Sequence, residues 1–335
     1  MGKLQKEFSE FHDNIKMGTF DENKVLRDKR DLLVSELTKS LEDEVIPGTE
    51  KKLTLTKFDQ GSYAMNTGIT PKDEDYDIDV GIIFDITNDD YDSKKLKKLV
   101  YKVLDKVTKR KVSYNRPCIT VEYSDGYHVD LAIYADNGTD THIAWGKEFS
   151  DEHVWYKSAP KELIQWVADT SAITKESEQF RRCVKALKKW KEKVFTSNGN
   201  AAPPSIGITI QARNAFSYNE DNDLETLTGI VRVMKQSFSS KVEFIDGKIN
   251  TFQNIEVKLP VAPYKDVYYK MTSKQKDNYF DRLDALLEAL EAALAEGSDH
   301  EACKIIRKAF GTDFPLAEDS KATATAPYIT TGQNA

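Results

Sequence analysis

Gln60-Gly61-Ser62-Tyr63 and, beyond it, Asp75-Tyr76-Asp77-Ile78-Asp79-Val80-Gly81 put a glycine-serine turn ahead of a strand that carries two acids. Side chains alternate in direction along a strand. With residues 76–84 extended, Tyr76, Ile78, Val80 and Ile82 face a core, and Asp77 and Asp79 point together to the other side. Two strand rises put their Cβ atoms roughly 6–7 Å apart. Like charges that close repel unless a cation lies between them. Mg²⁺ suits the position, with Mn²⁺ able to substitute, because a hard ion takes one or two carboxylates together with substrate phosphates. A third acid, Asp130, lies in residues 127–134, where Val129, Leu131 and Ile133 define one face and Asp130 shares the other with His128 and Ala132. An acid inside so apolar a strand is costly unless it is paired or metal-bound. Three carboxylates on adjacent strands suit a two-metal centre that activates a hydroxyl and stabilises a leaving pyrophosphate. Gly61-Ser62, at a strand end, would offer backbone N–H groups and a hydroxyl to phosphates.

Outward from this stretch the chain divides by pattern. Leu4, Phe8, Phe11 and Ile15, then Val25, Leu26, Leu32, Leu33, Leu37 and Leu41, fall at helical spacing until Pro47-Gly48. Residues 53–143 read as strands around one helix at 94–111, whose many basic residues form a solvated face. Residues 118–123 and 127–134 flank Ser124-Asp125-Gly126, a hairpin signal. From Pro160 onward nearly everything reads as helix. The expected fold class is therefore α/β (α+β), with N-terminal helices and a catalytic core at 1–159, a helical lobe at 160–316 and a flexible tail at 317–335.

Composition narrows the partners. Of 335 residues 39% are hydrophobic, enough for a sizeable core, and no apolar run approaches the roughly 18–20 residues of a membrane span. Cys118, Cys183 and Cys303 lie far apart, with no CxxC, so neither a disulfide framework nor an ordinary zinc site is expected. Buried free thiols and a cytoplasmic location are. The net charge of −7 argues against binding long nucleic acid, which needs a basic footprint.

Taken in order, Gly61-Ser62, Asp77-x-Asp79 and Asp130 resemble the GS…DxD…D signature of the DNA polymerase β-like nucleotidyltransferases. More narrowly the chain is similar to the CD-NTases of CBASS anti-phage systems, bacterial relatives of cyclic GMP-AMP synthase and oligoadenylate synthetase. Arg181-Arg182-Cys183-Val184-Lys185-Ala186-Leu187-Lys188-Lys189-Trp190-Lys191 is similar to that family's basic spine helix. Pro204-Ser205-Ile206 resembles the start of the next helix, and residues 302–315 the closing A-x-x-I-x-R-x-x-F-G segment. The resemblance spans roughly residues 50–316.

It implies a polymerase β-like core sheet facing a helical lobe across a cleft, and synthesis of a cyclic di- or trinucleotide from NTPs. Asp77 and Asp79 would hold both metals, and Asp130 the one that activates the attacking hydroxyl. Gln60, Gly61, Ser62, Lys188 and Ser205 would bind nucleotide, with Lys185 next after Lys188. Read without the family, Lys188 is one of several solvated lysines and Ser205 a helix N-cap. Ala262, within Leu259-Pro260-Val261-Ala262-Pro263, stands where the family often has an acid. The resemblance further implies a separate effector that the product activates, and a ubiquitin-transfer-like protein that would conjugate the C-terminal tail. The alternatives are a transferase acting on RNA, protein or a small molecule, and a catalytically silent nucleotide-binding module.

Overall fold

The computed structural model describes residues 2–17, 20–71, 76–107, 109–136, 138, 140–195 and 202–319. Most of the expected tail, residues 320–335, lies outside the described residues. Seven strands make the main sheet: β1 (Leu55–Asp59), β2 (Tyr76–Phe84), β3 (Lys111–Tyr114), β4 (Ile119–Glu122), β5 (Tyr127–Asp136), β6 (Thr141–Trp145) and β7 (Val154–Lys157). Their order is β1-β2-β5-β4-β3, and β6 joins the far end of β5 to β7. All neighbours run antiparallel except β2 and β5, which are parallel at the centre.

The alternation read along β2 and β5 sets this sheet's two faces. Ile78, Val80, Ile82 and Phe84 of β2, with Val129, Leu131, Ile133 and Ala135 of β5, are fully buried on one face. Against that face pack α2 (Phe20–Ser40), through Leu26, Leu33 and Leu37, and α4 (Ser93–Val107), through Leu96, Val100 and Leu104. The other face changes character along its length. Its first part carries Asp77, Asp79 and Asp130, while Ile83, Ala132, Tyr134 and Ile143 cluster with Phe58, Trp145 and Tyr156 farther along.

The second core is helical. It gathers α5 (Pro160–Ala168), α6 (Thr174–Val194), α7 (Ser205–Ala215), α8 (Asp223–Gln236), α9 (Ser273–Ala295) and α10 (Asp299–Phe310). The first helix, α1 (Gln5–Ile15), belongs here too: Phe8 and Phe11 pack on Phe314 at 5.0 and 5.2 Å between ring centroids. The spine, α6, buries the stripe Phe180, Cys183, Val184, Leu187 and Trp190. No helix among the described residues is long and apolar enough to cross a membrane.

Three expectations need correction. The helix at 94–111 stops at Val107, and residues 111–114 form the edge strand β3 instead. Nor is its basic face wholly solvated: Lys97 is fully buried and donates to the carbonyls of Asn115 (2.7 Å), Arg116 (2.8 Å) and Gly146 (3.2 Å). The helical half also contains a hairpin, β8 (Ser239–Ile245) and β9 (Lys248–Asn254), turning on Asp246 and Gly247 at φ 50° and 76°. Two central residues at positive φ make the tight turn for which Asp-Gly is the favoured pair.

Candidate active site

Parallel pairing of β2 with β5 sets Asp79 directly beside Asp130, and Asp77 beside His128. All three carboxylates emerge on the face away from the sheet's core, and a ligand oxygen of each lies within 4.8 Å of the others. Asp77 is exposed; Asp79 and Asp130 are half-buried. Burial raises the Asp79 carboxyl to about 6, the charge of Asp130 adds to the rise, and Lys188 opposes it. Crowding acids at this range is costly without a cation. The cluster has the hard-oxygen donor set that a divalent ion takes. Asp130 is also held by the protein: the Thr120 hydroxyl donates to its Oδ1, and the Cys118 thiol lies against it.

The glycine-serine turn is fitted against the same acids. The Gln60 N–H donates to the Asp79 carbonyl at 3.1 Å, which ties the end of β1 to β2. Gly61 has φ +66°, and a Cβ there would stand 1.7 Å from Asp79 Oδ2, so no other residue can bring the backbone this close. A single helical turn, α3 (Gly61–Ala64), follows. Its helical bonding begins with the Ala64 N–H on the Gln60 carbonyl (3.4 Å), which leaves the Gly61, Ser62 and Tyr63 amides as the leading donors of the turn. Gln60 Oε1 accepts from the buried Tyr134 hydroxyl at 2.9 Å.

Across the cleft, α6 answers this turn. Lys188 is 7% exposed and donates to the Thr67 carbonyl (2.7 Å) and the Thr67 hydroxyl (3.0 Å), while the Thr67 N–H donates to the Ser62 carbonyl (3.0 Å). Burial, then the neighbouring Lys191 and Lys185, pull the Lys188 ammonium down to about 7. The solvated-lysine reading of Lys188 is thus overturned. Ser205 is not an N-cap either: Pro204 holds that position, and Ser205 Oγ accepts from Lys191 Nζ at 2.7 Å.

Gln60, Gly61, Ser62, Asp79, Lys188 and Ser205 line one cleft of about 360 Å³, closed on its apolar side by Leu163, Ile164 and Ile206. That volume is within the range of small-ligand pockets. Lys185, the second-choice lysine, opens instead onto a separate cavity behind α3, beside Arg27 and Tyr63. Sequence reading missed Thr67, Thr120, Tyr134 and Lys191. Thr67 and Tyr134 act through bonds to residues distant in the chain, and Thr120 and Lys191 through tertiary pairings that the motifs do not mark. The arrangement gathers Asp79 of the acidic cluster, Lys188 and the leading amides of α3 around one cleft.

Known proteins resemble the chain in part of its sequence and in its fold. Residues 56–134 match the family model described as cyclic GMP-AMP synthase DncV-like, nucleotidyltransferase domain. A cyclic GMP-AMP synthase of Escherichia albertii is 30% identical over 161 residues, 45% of this chain and 35% of that protein. The alignment therefore spans about a third of that relative. The Vibrio cholerae DncV cyclic AMP-GMP synthase superposes with a TM-score of 0.70 at 17% identity, covering 94% of this chain and 98% of that one. The Bradyrhizobium diazoefficiens CD-NTase CdnG in complex with GTP gives 0.67 at 16% identity, covering 91% and 94%. At such identities these structures establish a shared fold. The matched nucleotidyltransferase domain contains Gly61-Ser62 and all three aspartates, and the chain as a whole is similar in fold to DncV and to the CD-NTase CdnG.

Proposed function

We propose that the protein is a nucleotidyltransferase that joins NTPs into a cyclic di- or trinucleotide. One observation carries this reading: Asp79 of the acidic cluster lines the same cleft as Gly61, Ser62, Lys188 and Ser205. Carboxylates, a lysine and helix-leading amides in one pocket suit a substrate that brings both a phosphate chain and metal ions.

Two divalent ions, Mg²⁺ or Mn²⁺, would supply activation of the attacking ribose hydroxyl and charge stabilisation of the departing pyrophosphate. Asp77 and Asp79 are the residues to hold both, and Asp130 the one on the side of the attacking hydroxyl. The leading amides of α3 and the Ser62 hydroxyl would cradle the phosphates. Lys188 has spent two of its three N–H donors on Thr67, so the third is available to a phosphate oxygen. Ser205, held by Lys191, would take another. The Thr67 bonds fix the lysine before substrate arrives, so catalysis rests on preorganised charge and positioning rather than covalent chemistry. Vibrio cholerae DncV, similar in fold, has been seen with GTP and with a linear pppApG intermediate, which favours two nucleotides meeting in such a cleft. In a CBASS setting the product would activate a separate effector, and the C-terminal tail would be the substrate of a ubiquitin-transfer-like conjugating protein.

The test is purified protein with all four NTPs, Mg²⁺ or Mn²⁺ and no added acceptor, with products identified by mass spectrometry. A product of cyclic mass is expected. Label transfer only when RNA, protein or a small molecule is supplied would favour the acceptor-modifying alternative. No pyrophosphate release together with no metal binding would leave the silent binding module.

A further inference from the structure

Asp130 is held from the side opposite the cluster, by a chain of hydrogen bonds that begins outside the site. Thr120 of β4 is the register partner of Asp130 on β5, and its hydroxyl donates to Asp130 Oδ1. The same hydroxyl oxygen lies 2.8 Å from Asn115 Nδ2. An amide NH₂ can only donate, so Thr120 Oγ1 accepts from Asn115 and its single hydrogen is directed to Asp130. Turning the amide over would ask that one hydrogen to serve two acceptors. The direction of the chain is therefore fixed: Asn115 to Thr120 to Asp130.

Asn115 is itself pinned. Its N–H closes the β3–β4 turn on the Cys118 carbonyl at 3.0 Å, and its carbonyl accepts from the buried Lys97. Lys97 also binds the Arg116 and Gly146 carbonyls, and the Gly146 N–H returns to the Arg116 carbonyl at 3.1 Å. An ammonium with three donors on three carbonyls leaves this turn no freedom to swing. A ligating carboxylate is oriented by partners of this kind, and their loss typically costs about 10- to 100-fold in metal affinity or activity.

We propose that Thr120, directed by Asn115, is a positioning residue that fixes the rotation of the Asp130 carboxylate, keeping Oδ1 engaged and presenting Oδ2 to a divalent ion. This rests on the reading of Asp130 as a metal ligand, and the experiment separates the two. Mn²⁺ binding to the full-length protein, without nucleotide, is measured by titration calorimetry for the wild type, Thr120→Val, Thr120→Ser, Asn115→Ala and Asp130→Asn. KM and kcat for NTP are measured alongside. Thr120→Val keeps the shape and removes the hydroxyl. It should weaken Mn²⁺ binding about tenfold or more and lower kcat with KM for NTP unchanged, and Thr120→Ser should restore both. Asn115→Ala, at an exposed turn position, should give a smaller loss in the same direction. Wild-type Mn²⁺ affinity in Thr120→Val, with affinity lost in Asp130→Asn, would overturn the positioning role alone. Unchanged affinity in Asp130→Asn would overturn the metal-site reading and this proposal with it. Should Thr120→Val not fold, wild-type Mn²⁺ affinity and kcat in Asn115→Ala would contradict the directed chain.

Discussion

Asp79 and Lys188 face one another across the cleft with their acidities displaced in opposite ways, and each displacement has a measurable consequence. For Asp79 burial and the Asp130 charge raise the folded carboxyl to about 6, against about 4 in an unfolded chain. Between these values the folded state binds more protons, so stability falls as pH rises from 4 to 6 and the deficit persists above 6. Without metal, Asp79→Asn should remove that deficit and stabilise the protein at pH 7 by about 2–3 kcal/mol, read as a higher melting temperature in EDTA. A lower melting temperature would show that the carboxylate is held by something other than a cation. For Lys188 burial lowers the ammonium to about 7, and an incoming triphosphate would favour its charged form. Below pH 7 the charge is already present. Above it a proton must be taken up on binding, so KM for NTP should rise between pH 7 and 9. Lys188→Met should raise KM about ten- to a hundredfold at pH 7, the worth of a charge-assisted contact, and flatten that rise. A pH profile identical in wild type and Lys188→Met would remove the lysine from the substrate's contacts.

At the scale of elements, the turn between β1 and α3 is the least tolerant part of the site. Gly61→Ala places a methyl on Asp79 Oδ2 and demands a left-handed backbone of a residue that resists it. It should abolish activity and weaken Mn²⁺ binding while leaving the bulk of the fold in place, as judged by circular dichroism. Near wild-type turnover in Gly61→Ala would mean that the turn does not approach the acids in solution. How much of this was legible follows from the same geometry. The alternation along β2 and β5 is a local pattern, so the faces, the buried aliphatic rows and the shared face of Asp77, Asp79 and Asp130 could be read directly. The parallel register that sets Asp79 beside Asp130 could not, because pairing of distant strands leaves no local periodicity. Lys97 and Lys188 were read as solvated because each sits among other lysines; their burial depends on carbonyls brought from loops elsewhere. The β8–β9 hairpin was a different failure. Its Asp246-Gly247 signal stood in the sequence, but Val242, Phe244 and Ile249 are exposed, so no core pattern accompanied it.

Over the whole molecule, the two main hydrophobic cores flank one cleft. Lys188 on the helical side grips Thr67 on the sheet side, and that grip places a lysine opposite three aspartates. This juxtaposition is what the proposed nucleotidyl transfer depends on. The most direct measurement is pyrophosphate release from NTPs with Mg²⁺ by the wild type and by Asp77→Asn combined with Asp79→Asn, with melting temperatures taken in parallel. The wild type should release pyrophosphate, and the double variant should lose at least about a hundredfold in rate while melting no lower in EDTA, because it removes ligands and repulsion together. Release at a near wild-type rate by the folded double variant would contradict the assignment of the active site.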